Sequence, residues 1–121
     1  MMVGRITKDN ADRRRIVVDF AILQWLDPGE IIASYTTPVV VVEQVLVQTN
    51  PYVTTLPSTP PVDTTPLVVN DVAIIANGTQ VQMYAEQGTP GLTYKVTFTV
   101  TGNTSTRIKQ VDILVLVRMP V

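Results

Sequence analysis

Tyr94-Lys95-Val96-Thr97-Phe98-Thr99-Val100-Thr101 sets large apolar residues and short or charged ones on alternate positions. Successive side chains of a β-strand point to opposite faces, so this run gives an apolar face (Tyr94, Val96, Phe98, Val100) and a polar one. A period of two sustained in this way fits no helix. Gly102-Asn103 then turns the chain into a last strand from about residue 106 to 118. Its inner face is Val111, Ile113, Val115 and Val117; its outer face carries Gln110, Asp112, Leu114, Leu116 and Arg118. Upstream, Asn77-Gly78 between residues 72–76 and 79–86 signals a hairpin, because a type I′ turn needs positive φ at two successive residues.

Further outward, Arg13, Arg14 and Arg15 lead a first strand in which Ile16, Val18, Phe20 and Ile22 alternate with Val17, Asp19 and Ala21. Trp25 follows in a short turn. Asp27-Pro28-Gly29-Glu30 reads as a type II turn, with Pro presetting φ and Gly accepting the positive φ. A second strand spans about 31–36, then the block 39–42, with 43–48 continuing as strand-like sequence. The segment 51–66 holds Pro51, Pro57, Pro60, Pro61 and Pro66 and reads as an extended loop, because proline cannot donate to a ladder. The expected core is Ile16, Val18, Phe20, Ile22, Trp25, Val81, Met83, the apolar face of 94–100, Val111, Ile113 and Val115. About seven strands at this spacing predict one all-β domain, an immunoglobulin-like antiparallel β-sandwich over 14–121. Residues 1–13 are expected to form a polar N-terminal arm that docks on a partner.

Composition agrees. Of 121 residues, 21 are Val, 17 Thr and 9 Ile, and β-branched side chains favour pleated surfaces. Charged residues make up only 16% and the net charge is −1, against roughly 25% charged residues in ordinary domains. That balance suits a surface partly covered by neighbours, and it disfavours nucleic acid, whose phosphates demand excess Lys and Arg. With no Cys and no His, thiolate nucleophiles, Ser-His-Asp triads and Cys or His metal sites are excluded. No catalytic residue, cofactor or metal is expected. The N-terminus leads into polar residues, so no signal peptide is expected, and the apolar runs 72–76 and 113–117 are too short to span a bilayer.

The chemistry-bearing residues read as structural. Asp27 and Glu30 belong to their turn, with Glu30 a solvated strand start, and Asp19 is expected to pair with Lys95 or Arg107. Trp25, Tyr35 and Tyr52 raise the alternative of a sugar-stacking platform. The interface candidates are the three Arg and the block 39–47. Val39, Val41, Val45 and Val47 share one face there and Val40, Val42 and Leu46 the other, so both sides need cover. Leu114 and Leu116 present the same requirement on the last strand. Either a neighbouring subunit or the chain's own Pro-rich loop must supply the second cover, and the neighbour is the expectation.

Several of these features recur together: Arg14-Arg15, Val18-Asp19-Phe20-Ala21, Trp25-Leu26, Gly29-Glu30-Ile31-Ile32-Ala33-Ser34 and Gly91-Leu92-Thr93-Tyr94-Lys95-Val96-Thr97. In this order they resemble the fibre–tail adaptors of tailed bacteriophages, small immunoglobulin-like virion proteins, over roughly 13–36 and 72–117. The resemblance implies a multi-copy structural protein of the virion tail or neck, made in the bacterial host cytoplasm. Its partners would be tail tube, adaptor or nozzle proteins and tail fibres, with no nucleic acid and no membrane. A capsid decoration (cement) protein and a glycan- or receptor-binding immunoglobulin-like module are the alternatives.

Overall fold

The computed structural model describes residues 2–23, 25–43, 62–104 and 107–118, and the backbone of 47–50 and 53–55. Ten strands follow in chain order: β1 (Met2–Lys8), β2 (Arg14–Asp19), β3 (Ile32–Tyr35), β4 (Val39–Val42), β5 (Val47–Asn50), β6 (Val53–Thr55), β7 (Leu67–Ile75), β8 (Gln80–Gln87), β9 (Thr93–Gly102) and β10 (Ile108–Val117). Eight of them build the two layers of an all-β sandwich. One sheet is β1-β10-β9 with β3 and β4 both on the far side of β9, and the other is β2-β8-β7. These match the C-F-G and B-E-D strands of the immunoglobulin fold. The expected count of seven becomes eight because residues 2–8 add β1 to the larger sheet. β3 pairs with β9 near Val100 and β4 near Val96, separated by a bulge around Pro38, which has no N–H to donate.

The inner face follows the alternation. Val81, Met83, Tyr94, Val96, Phe98, Val100, Val111, Ile113 and Val115 are all buried in one cluster with Ile16, Val18 and Phe20. Ile22 is a correction, being 78% exposed. β2 ends at Asp19, whose carboxylate accepts the N–H groups of Ala21 (3.0 Å) and Ile22 (3.1 Å). The chain therefore turns out of the sheet before Ile22 can point inward. Trp25 is half-buried against the core, edge-on to Phe20 at 5.7 Å.

Both turn readings hold. Gly29 has φ +80 and the Glu30 N–H donates to Asp27 O at 2.9 Å, closing the type II turn. Asn77 and Gly78 have φ +57 and +90 between β7 and β8. At the start of β9, the Tyr94 hydroxyl accepts the Thr89 N–H and donates to Asp63 Oδ1, both at 2.8 Å. A tyrosine bonded back to the preceding corner marks this strand in immunoglobulin-type sandwiches. The Thr89 hydroxyl also donates to Asp63 (2.7 Å) and accepts the Thr65 N–H (3.0 Å). The end of the Pro-rich segment is thus pinned to the core.

Two boundaries differ from expectation. Residues 1–13 are not a free arm, because residues 2–8 form β1 and pair in parallel with β10 from Asp112 to Val117. The sandwich is therefore not purely antiparallel. Val3 and Ile6 pack on the core, and Lys8 is buried, its ammonium donating to the carbonyls of Asp9 (2.6 Å) and Gln87 (2.5 Å). The segment 51–66 is not wholly loop either. β5 and β6 form a separate two-stranded ladder, possible because residues 52–56 contain no proline.

Deleting residues 1–8 is expected to lower the thermal midpoint by about 5–10 °C, through lost ladder bonds and exposed core. Calorimetry checks this; an unchanged midpoint would return the segment to the role of an arm. Lys8 adds a pH signature. Burial lowers its pKa below 10.5, with Asp12, Asp9 and Glu86 opposing. The unfolded chain then holds the proton longer, so stability rises with pH from the folded value up to 10.5. Urea unfolding over that interval should show the rise, and Lys8→Met should flatten it. Above pH 10.0 the buried Tyr94, its pKa raised mainly by burial, acts in the opposite direction.

Candidate protein interface

The register of the five-stranded sheet fixes what its outer face carries. Val41 lies opposite Lys95, Lys95 opposite Leu114 and Leu114 opposite Arg5. The row beside it is Val39, Thr97, Asp112 and Met2. Beyond the first row, the ladder pairs Thr93 with Leu116 and Leu116 with Thr7, and the Glu43 N–H continues it to Thr93 O (2.8 Å). Val39 and Val41 are 58% and 50% exposed, whereas Leu114 and Leu116 are half-buried. Val40 and Val42, on the opposite side of β4, pack on the core. One face of β4 is thus covered within the chain and the other is open.

Four of the sequence-derived candidates (Val39, Val41, Leu114 and Leu116) therefore share one surface. The backbone of Val47 belongs to β5, which pairs with β6 rather than with β9. Val45, Leu46 and Tyr52 lie outside the described residues. The alternation of β9 and β10 supplies Lys95 and Asp112 to the same face. Arg5 and Glu43 could not be placed beside them without the parallel β1 pairing and the one-residue shift between β3 and β4.

The arginines lie on the opposite sheet. Arg13 is held within its own domain by ion pairs to Asp71 and Glu86 and by the Tyr84 ring 3.7 Å beneath its guanidinium. Arg15 Nε donates to Gln82 (2.7 Å), and Arg14 is exposed. Arg13 and Arg15 thus already have partners on β7 and β8 within the chain.

The loop end of the sandwich holds a second polar cluster. Arg107 donates to Trp25 O (2.7 Å), pairs with Asp27 (3.2 Å) and Glu30 (3.4 Å), and lies 5.5 Å from the Trp25 ring centre. Glu30 is not the solvated strand start expected, since its side chain is 1% exposed. Its carboxylate fills the space a side chain at Gly102 would need. Asp19 pairs with neither Lys95 nor Arg107. Hydrogen bonds from the Ile22 N–H and the Gln80 amide instead hold its pKa below the usual carboxylate value. A shallow groove of about 160 Å³ beside it is lined by Val3, Val17, Ile22 and Leu23.

Among the described residues no three His, Cys, Asp or Glu side chains are grouped to hold a metal ion, and no helix is long and apolar enough to cross a membrane. Comparisons with protein-family models, curated proteins and solved structures find no match to this chain.

Arg107→Ala is expected to cost about 1–2 kcal/mol in urea unfolding, by removing the guanidinium beside the buried Glu30 carboxylate, which still accepts the Asp27 N–H (3.2 Å). That is less than the roughly 3–5 kcal/mol of a fully buried pair, because the Arg107 side chain is 45% exposed. Trp25 emission should shift with the same substitution, and added oligosaccharides should not quench it in the parent protein. Saturable quenching would favour the glycan module.

Proposed function

We propose that this chain is a structural protein of a tailed-phage virion, a multi-copy adaptor between the tail or neck body and the fibres. The observation that carries the reading is the outward strip of Val39, Val41, Leu114 and Leu116 on a sheet whose other face is a packed core. An uncovered apolar strand face of this kind is an aggregation hazard unless a neighbour covers it. Low charge over the whole chain, 16% of residues, fits the same arrangement. The sequence resemblance to fibre–tail adaptors supplies the virion context.

Magnitudes favour an assembled setting. Burying an exposed Val or Leu side chain contributes about 1.5–3 kcal/mol, and the two half-buried leucines contribute less. The strip therefore contributes several kcal/mol, comparable with the roughly 4–15 kcal/mol that association costs in lost freedom. One such contact is weak; repeated in an assembly it becomes persistent.

Quantitative mass spectrometry of purified particles, with antibody labelling of the chain, tests the reading. Several copies per particle at the tail or neck are expected. Label over the capsid shell would make the chain a decoration protein, and absence from the particle would end the virion reading.

A further inference from the structure

The outer face of the five-stranded sheet is self-complementary in charge as well as apolar, and we propose that it pairs face to face with the same face of a second copy. This deepens the multi-copy reading above and rests on it. In strand order the face presents Val39, Val41 and Glu43, then Thr97, Lys95 and Thr93, then Asp112, Leu114 and Leu116, then Met2, Arg5 and Thr7. Two cations and two anions accompany the apolar strip, so two copies meet without net repulsion.

A two-fold axis in the interface plane, parallel to the strands and between β9 and β10, lays β4 of one copy over β1 of the other. It lays β9 over β10 in the same way. Such an interface is isologous, so each contact occurs twice. Val39 then meets Met2 of the second copy, and Leu116 meets Thr93. Leu114 meets the aliphatic stem of Lys95, and Val41 that of Arg5. Glu43 comes beside the second copy's Arg5, and Asp112 beside its Lys95. The opposite arrangement, with the axis across the strands, stacks Lys95 on Lys95, so charge selects the first. Thr93, Thr97 and Thr99 keep the middle of the face low enough for stacking at about 10 Å.

The area suffices. Four strand positions about 4.8 Å apart, with strands of seven to ten residues, give a face of roughly 20 by 25–30 Å. Two such faces bury on the order of 1,000–1,200 Å², at the lower end of specific interfaces. Pairing leaves Arg14 and the β2-β8-β7 sheet outward for other virion proteins.

Sedimentation equilibrium of the full chain, up to concentrations on the order of 100 µM, should show a species of twice 13.3 kDa. Glu43→Arg and Arg5→Glu should each weaken it by about tenfold or more. The double variant should recover most of the loss, and the two single variants mixed should pair with each other. Among the described residues neither side chain forms an ion pair within its own chain, and circular dichroism confirms that each variant is folded. A monomer throughout the range, or dimers indifferent to both charge reversals, would overturn the pairing. Because particle composition is measured separately, a chain present in virions yet monomeric in solution would defeat this inference alone.

Discussion

β9 is bonded along both edges, to β10 on one side and to β3 and β4 on the other, and its inward side chains are all buried. Every other part of the larger sheet takes its register from it. The Tyr94 hydroxyl at its first turn ties the strand to Thr89 and Asp63, and so fixes where the corner after β8 ends and where the Pro-rich segment rejoins the domain. Gly88 completes that corner at φ +101, where a Cβ would lie 2.6 Å from Val117. The last strand, the corner and the incoming segment thus depend on one buried aromatic and one residue without a side chain.

What could be read from the sequence was local. Alternation in 94–101 and 111–117 fixed which residues face inward, because a slip of one position would invert the whole set. Pro28-Gly29 and Asn77-Gly78 declared their turns through backbone preferences that need no tertiary partner. The misreadings share a different cause. β1 carries few inward apolar residues and pairs in parallel with a strand more than a hundred positions away, so its sequence looks like a polar arm. Lys8 and Glu30 carry charge, which ordinarily means exposure. Their partners are carbonyls at residues 9 and 87 and a guanidinium at residue 107.

The candidate surface was half legible for the same reason. Val39, Val41, Leu114 and Leu116 announced themselves as apolar residues on the wrong side of strands already filled on the other. Nothing local placed them on one face, or put Arg5 and Glu43 at its margins. The arginine cluster shows the reverse: adjacent in sequence and conspicuous, two of its members, Arg13 and Arg15, face partners on β7 and β8 that alternation alone does not name.

The parallel pairing of β1 with β10 also has a mechanical side. Met2 lies beside Asp112 and Lys8 beside Val117, so the chain enters at one end of the sandwich and leaves the last strand at the other. Tension applied at Met2 and at Val117 runs along both strands in opposite senses. The ladder bonds between them are then loaded together in shear, whereas an antiparallel pair pulled from one end opens bond by bond. The first strand, polar enough to pass for a tail, thus sets how the domain would resist a pull between these two ends.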